Sequence, residues 1–495
     1  MASDVVYFSG DQNKAYNEVV STLRLSGIDL EEAKLSSKSD RQSSLLGIIG
    51  RAGTGKTLLI SKLFEALKLS GINIITGDYE SKRLRTERSL SILAPTNKAA
   101  SVLRSKGVPA TTLHRILYTP IYDPEYEKIA EWLVGNSARP ENENFEKSIL
   151  DRIFEFYKTN KSIPGALASA GLKGSDFIQG WKRREEPLDI GFVDEASMLD
   201  NQQFEDLQEI FSNLILFGDP AQLAPINQSG SMVFDKIPDK RKCFLRQIHR
   251  QQNDNPILEL ASKLQDPSID FLAFDQMVKE VSTSDERVVY SQRVNIDLMA
   301  FSPVLVWRNS TRIRLISAFR EAHSITETEL LPGEPLICDG IELPLKHRKK
   351  RIDLEARGLI KGAHVIYLGP GRKPGFSKLH IIGSDDPQVS AASIVKIEKP
   401  DVEEPFIPFA ARMGATFLHG SAVTIHKSQG SQWEQVQVIS SDLAVASNTG
   451  RIESGQPLWK RLTYVAITRA QHQLNWVTRN RLSKPKIPLD TKKLI

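Results

Sequence analysis

A chain of 495 residues is about three times the roughly 150 residues of an ordinary domain, which excludes a single small module. Its 40% apolar, 25% charged and 7% aromatic content excludes the disordered, collagenous and coiled-coil classes. The 65 basic residues against 60 acidic ones leave a formal charge of +5, compatible with a polyanionic partner but not demanding one. Cys243 and Cys338 lie far apart with no Cys/His cluster near either, so no disulfide framework or zinc site is expected, and a reducing compartment fits. The opening MASDVVYFSGDQNKAY lacks a basic stretch followed by an apolar one, and no run approaches the roughly 18 apolar residues of a membrane span. The expectation is a soluble, cytoplasmic protein without a membrane partner.

In chain order, residues 11–25 place apolar groups at helical spacing, and KLSSKSDRQSS then breaks the pattern as a surface loop. LLGIIG at 45–50 predicts a buried strand ending in a glycine-rich turn. A helix follows whose face is Leu58, Leu59, Leu63, Phe64 and Leu67, with Gly71 as its stop. The unit recurs as SILAPT with NKAASVLRSKG, as IGFVDEAS with a polar helix through 211, as LILFGD, and later as AVTIHKSQG and VQVISS. Strands alternating with helices predict an α/β fold with parallel sheets covered on both faces. Two stretches interrupt the alternation. Residues 116–187 are helical in pattern around IAEWLV and ILDRIFEFYK, and 332–416 are rich in Pro, Gly and β-branched residues, as in a small β-rich module. Within the second, KHRKKR at 346–351 is the densest basic run, readable as a solvated loop or a nucleic-acid contact.

The chemistry concentrates at strand ends. Gly50–Thr57 spells GRAGTGKT, a phosphate-binding loop between strand and helix. Along Gly50, Ala52, Gly53, Thr54 and Gly55 the backbone N–H groups can curl around phosphates, Lys56 neutralises β/γ oxygens and Thr57 can ligate magnesium. The expected ligands are ATP and Mg2+. IGFVDEAS ends a strand with two carboxylates: Asp194 to hold magnesium through water, and Glu195 to orient the attacking water. LILFGDPAQLAPI places Asp219 and Gln222 beside the same crevice, where Gln222 can sense the γ-phosphate.

The succession GRAGTGKT, LAPTNKAA, TTLHR, VDEAS, GDPAQLAPI, LRQIHRQ, AVTIHKSQGSQW, YVAITRA resembles superfamily 1 helicases, within them the RecD-like, Dda-like branch, over nearly the whole chain. The resemblance implies two RecA-like P-loop domains, the second UvrD-like. Domain 1A would span 1–235 with subdomain 1B at about 116–187, and domain 2A 236–495 with a β-rich subdomain 2B at about 332–416. ATP would lie in the cleft between the domains, and single-stranded DNA across their tops. By the same resemblance Gln12 reads the adenine edge, Arg250 and Arg469 reach the γ-phosphate as arginine fingers, and Tyr464 packs near the nucleotide unless it is a core tyrosine. Pro95, Thr96, Lys98, Thr112, His114, Asn309, Thr424, His426, Lys427 and Ser428 match the DNA-binding positions, while Gln429 and Gly430 close their motif near the cleft. Hydroxyl groups and helix N-termini hold phosphates without reading sequence, as a motor on any strand requires.

Ala224 departs from the family, many members of which have a second proline there, and no hairpin with an aromatic tip is recognisable in the first insert. Trp132 and Trp181 are the candidate wedge or base-stacking residues, with a core role as the commoner alternative. The expected activity is ATP-dependent translocation on single-stranded DNA and unwinding of tailed duplexes, 5′ to 3′ by analogy with the branch, in company with proteins of DNA repair, recombination or replication. A translocase that strips proteins from DNA, an ATP-switch subunit of a helicase–nuclease complex and an RNA helicase are the alternatives. Intact Lys56, Glu195, Arg250 and Arg469 weigh against a non-hydrolysing switch.

Overall fold

The computed structural model describes residues 8–489 except 37–42, 77–87, 123, 141–146, 161–165, 167–168, 170–177, 224–231, 248–254, 326–328, 343–352, 356, 383, 385, 404, 406, 408–410, 412–413 and 454. Arg250, Ala224 and the basic run 346–351 therefore lie outside the described residues, as does the side chain of Trp181. The chain divides into two compact units, one formed by 1–118, 183–291 and 428–478, the other by 119–182, 292–427 and 479–495.

The first unit is built on an all-parallel sheet. Its strands run in the order Lys242–Leu245, Ser44–Gly50, Phe211–Gly218, Leu188–Val193, Ser89–Ala94. Asn73–Ile74 and Ala110–Thr112 both pair with the outer side of the last. Every residue of Ser89–Ala94 and Leu188–Val193 is buried, the continuous apolar signature of strands covered on both faces. Period-two alternation sends Leu46, Ile48, Ile190, Phe192, Ile215 and Phe217 into one core and Ile49, Leu93, Val193, Leu214 and Leu216 into the other. Helices Gly10–Leu25 and Lys56–Leu69 cover the first face, through Ala15, Val19 and Leu23 and through Leu59, Ile60, Leu63, Phe64 and Leu67. The expected face of the second helix shifts by part of a turn: Leu58 is only half-buried and Ile60 is buried instead. Gly71 has φ +76° just beyond the helix end, as a stop should. A second parallel set, Val288–Ser291, Ala470–Val477 and Trp433–Ile439, completes this unit.

In the second unit the insert expected to be β-rich contains a closed five-stranded barrel of Pro335–Glu342, His364–Pro370, Phe376–Ile381, Gln388–Lys396 and Gly414–His419. Burial alternates along Gln388–Lys396, one side chain in and the next out. Beside the barrel, Val304–Val306 pairs in parallel with Ala422–Thr424, and the helix Asn309–Ala322 follows the first of these strands. The first insert holds helices Pro124–Val134 and Lys147–Asn160, closed around Ile129, Leu133, Leu150, Ile153 and Ala166. Trp132 is half-buried against this cluster; its ring stacks on Phe154 at 5.3 Å, and Arg139 lies 5.7 Å from its centre. Both cysteines are free thiols, and among the described residues no helix is long and apolar enough to cross a membrane.

Gly191 shows how tightly the central sheet is packed: a Cβ there would sit 2.8 Å from the ring of the buried Phe211. Gly191→Ala is expected to lower the unfolding free energy by about 1–3 kcal/mol through overpacking. Denaturant unfolding checks this, and Phe211→Leu in the same chain should restore part of the loss.

Candidate functional site: the carboxyl edge of the parallel sheet

Because every strand of the first sheet points the same way, their carboxyl ends line up and deliver the candidate residues to one edge. Register pairs Ile49 with Gly218, Leu216 with Val193, Val193 with Leu93 and Ala94 with Thr112. The phosphate loop, the Asp219 turn, the Asp194–Glu195 pair, Pro95–Thr96 and Thr112 therefore emerge side by side.

The loop turns at Gly53 (φ +86°) and Gly55 (φ +82°), a left-handed backbone that favours glycine, and Lys56 opens the helix behind it. Thr57 follows in the helix's first turn. Lys56 Nζ donates to the carbonyls of Gly50 at 2.6 Å and Arg51 at 3.0 Å, and Thr54 Oγ1 donates to Arg51 O at 2.9 Å. Gln12 is 1% exposed. Its Oε1 accepts from Ser9 N in a capping box, and its Nε2 donates to Thr54 O at 3.0 Å. Its amide thus braces the loop, each polar atom using one of its two hydrogen-bonding sites to do so.

Asp219 is fully buried and accepts from Ala52 N at 3.1 Å, Ala221 N at 3.0 Å and the Tyr464 hydroxyl at 2.6 Å. Burial, and then the Asp219 carboxylate, push the Tyr464 hydroxyl well above its usual pKa, so it stays a donor. One turn earlier on the helix Leu458–Ile467, buried Arg461 donates to the carbonyls of Pro220 at 3.0 Å and Gln222 at 2.6 Å. The sequence motifs do not include Arg461; its one signal is a cation three residues before Tyr464, next to Lys460, in a helix that is otherwise mostly apolar. Asp11 is a second residue the motifs leave out. Burial raises its pKa, but hydrogen bonds from Ser9 and from the N–H groups of Gln247, Arg246 and Gln12 outweigh this and hold it down at about 2. Arg469, 4% exposed, donates from Nε to Val465 O at 3.0 Å and from Nη1 to Ser431 O at 3.2 Å, bonds that hold its guanidinium to the backbone.

Asp194 is 8% exposed, and its pKa is pushed up to about 7 by burial and then by the neighbouring Glu195, against the pull of Lys56. Glu195 adopts φ +53°, uncommon for a non-glycine residue. Its Oε2 and the Oε1 of buried Gln222 are enclosed with no hydrogen-bond partner among the described residues. Orphaned acceptors at a phosphate loop fit a group that orders water, and the hard oxygens of Asp194 and Thr57 fit magnesium. The residues present therefore suit Mg-ATP.

The positions matched to DNA binding fall in both units. In the first, Thr96 caps the helix Asn97–Ser105 by accepting from Ala99 N at 3.1 Å. Gly430 (φ +75°) approaches so closely that an added Cβ would lie 3.4 Å from Thr96 Oγ1, while Gln429 Nε2 reaches Leu223 O at 3.5 Å. Pro95 and Lys98 are half-buried, and desolvation lowers the lysine's pKa. Thr112 is the N-cap residue of the short helix Leu113–Leu117 without a side-chain cap bond, His114 is exposed beside Tyr118, and Ser428 is fully buried. In the second unit, register pairs Thr424 with Val306 at the carboxyl ends of their strands, and exposed Asn309 begins the following helix. His426 is half-buried and Lys427 exposed in the turn after Thr424.

A parallel sheet with this loop and this carboxylate pair at its carboxyl edge defines a P-loop nucleotide-binding protein. The family model described as an AAA domain matches residues 36–283, half of the chain, and a UvrD-like helicase C-terminal domain matches 419–477. The chain belongs to this AAA-domain family and, with the UvrD-like helicase domain that follows, is a superfamily 1 helicase of the RecD-like branch. It is 24% identical over 348 residues to conjugal transfer protein TraA of Agrobacterium fabrum; the match covers 63% of the chain, which spans only 28% of that relative. Among solved structures it is similar to the Pif1 helicase of Candida albicans, with 16% identity, 99% of this chain and 100% of that one covered, and a TM-score of 0.49. It is also similar to Bacteroides Pif1 bound to ssDNA, with 13% identity, 99% and 94% covered, and a TM-score of 0.48.

The raised pKa of Asp194 has a sign that can be checked. An aspartate titrating near 4 when unfolded and at about 7 when folded binds more protons in the folded state, so its contribution to stability is full below about pH 4 and is lost as pH rises to about 7. Asp194→Asn is therefore expected to raise the unfolding free energy by about 1–2 kcal/mol at pH 8 and by less at pH 5. Thermal or denaturant melts of the nucleotide-free chain at the two pH values measure it.

Proposed function

We propose that the chain couples Mg-ATP hydrolysis to movement along single-stranded DNA and to unwinding of tailed duplexes, in the 5′ to 3′ direction. The observation that carries the reading is the Asp219 carboxylate shared by Ala52 of the phosphate loop and Tyr464 of the Arg469-bearing segment. Through it, a change at the phosphates reaches the segment that holds the proposed arginine finger. The domains proposed are 1–235, with an insert at about 116–187, and 236–495, with an insert at about 332–416.

In this reading Gly50, Ala52, Gly53, Thr54 and Gly55 cradle the phosphates, with Asp219, Gly430 and Tyr464 bordering them, and Lys56 neutralises the transferring oxygens. Thr57 and Asp194 hold magnesium, which offsets β/γ charge when bound. Glu195 orients the attacking water and Gln222 senses the γ-phosphate, while Arg250 and Arg469 stabilise charge on the transferred group. Gln12 sets the loop and reads the base. Pro95, Thr96, Lys98, Thr112, His114, Asn309, Thr424, His426, Lys427 and Ser428 grip the strand backbone. The contact of Gly430 with the Thr96 cap supports a link between strand grip and nucleotide. Partners from DNA repair, recombination or replication belong to the same proposal.

Hydrolysis by the wild-type chain should rise strongly with single-stranded DNA, and a duplex with a 5′ tail should be unwound while one with a 3′ tail is not. Glu195→Gln should keep ATP binding yet lose about 100-fold or more of the turnover, since an amide preserves shape without the charge that orients water. Wild-type turnover in that variant would overturn the assignment of Glu195. Stimulation without unwinding would favour a translocase, and stimulation by RNA alone an RNA helicase.

A further inference from the structure

In the second unit the helix Asn309–Ala322 carries two arginines on its buried face, Arg312 and Arg320, two turns apart. Each is fastened to a carboxylate of the barrel region. Arg320 approaches Glu334 Oε2 at 3.7 Å, and Glu334 is itself fully buried and paired with His419 Nε2 at 3.2 Å. Arg312, with a side chain only 5% exposed, pairs through Nη2 with Glu398, two residues beyond the barrel strand Gln388–Lys396. Its Nε donates to Asn309 Oδ1 at 2.8 Å.

Arginine is a donor only, so it must face the carbonyl oxygen of the Asn309 amide, and this fixes which way that amide is turned. With Oδ1 turned toward Arg312, exposed Asn309 carries its NH2 on the other branch of the amide as a donor. An exposed donor three residues beyond Val306, the register partner of Thr424, suits the acceptor oxygens of a nucleic-acid strand. Lysine is a poor substitute for Arg312, because its ammonium lacks the planar fork that fixes a carboxylate and an amide oxygen in one geometry.

We propose that Glu398 and Arg312 are positioning residues that lock the Asn309 amide with its NH2 outward, so that the barrel insert sets the strength with which this unit grips single-stranded DNA. The inference rests on the proposed reading of Asn309 as a DNA contact. It assigns the barrel region a task in DNA binding through a chain of two side chains. Glu398 is one-third exposed, so its loss leaves the core intact.

The test is fluorescence anisotropy of a labelled oligo(dT) with the full-length chain, comparing wild type, Asn309→Ala, Glu398→Gln, Arg312→Lys and the double variant Asn309→Ala/Glu398→Gln. Glu398→Gln and Arg312→Lys should each weaken binding about threefold to tenfold, and Glu398→Gln should add nothing once Asn309 is alanine. In DNA-stimulated hydrolysis, Glu398→Gln should raise the DNA concentration for half-maximal stimulation while leaving turnover at saturating DNA and basal turnover unchanged. If Asn309→Ala weakens binding but Glu398→Gln has no effect, or has its full effect in the double variant, the relay is wrong and the DNA reading of Asn309 stands. If Asn309→Ala binds as wild type, that reading and the relay fall together, while the P-loop chemistry is untouched.

Discussion

The parallel alignment of the strands in the first sheet is the constraint on which the site depends. A strand that ran the other way would carry its loop to the opposite edge, and the phosphate loop, the Asp194–Glu195 pair and the Asp219 turn would no longer meet. Parallel pairing requires crossover connections and cover on both faces, which is why the core divides into two apolar layers around one sheet. The opposite, amino edge is occupied by a different kind of polar group. There, Asp189 accepts from Ser89 N at 2.9 Å and pairs with Arg88 at 3.4 Å, and Asn213 accepts from the hydroxyls of Ser26 and Ser44 at 2.6 and 2.7 Å. Those groups satisfy one another and hold strand ends together.

The carboxyl edge is not satisfied in the same way. Glu195 and Gln222 each keep an enclosed acceptor oxygen without a partner among the described residues, Asp194 is desolvated beside a like charge, and Glu195 sits in a left-handed backbone conformation. Each of these features lowers stability, and all lie within a few residues of two strand ends. Local violations gathered at one place, in a sheet otherwise consistent from propensity to packing, mark where chemistry rather than folding sets the residues. The Tyr464–Asp219–Ala52 contact and the Arg461 bonds to Pro220 and Gln222 then give the helix Leu458–Ile467 a direct hold on that edge.

Much of this architecture is legible in the amino-acid sequence. GRAGTGKT points to a turn, an anion cradle and a helix start because its glycines tolerate a left-handed backbone, and the apolar runs around SILAPT and IGFVDEAS suit strands buried on both faces. The β-rich character of the second insert shows in its composition, whereas closure into a barrel depends on pairing between segments more than eighty residues apart, such as Leu336 with His419. The roles of Arg461, Asp11 and Arg312 are hidden for a related reason. A charged residue reads as a surface residue until its partner is known, and the partners here, the Pro220 carbonyl, the Arg246 and Gln247 amides and Glu398, come from remote sequence. Gln12 is recognisable by position, but its bond to Thr54 assigns it a bracing task that sequence alone does not suggest.

The central claim is that nucleotide and DNA are linked through this edge, and linkage is reciprocal. The most direct measurement is the affinity of the wild-type chain for a labelled single strand, taken without nucleotide and with a saturating non-hydrolysable ATP analogue and magnesium. The account predicts an affinity that changes by about fivefold or more between the two states, with the analogue's own affinity changing by the same factor when DNA is present. Equal DNA affinity in both states would contradict it, since a ligand that does not distinguish two conformations cannot drive a motor between them.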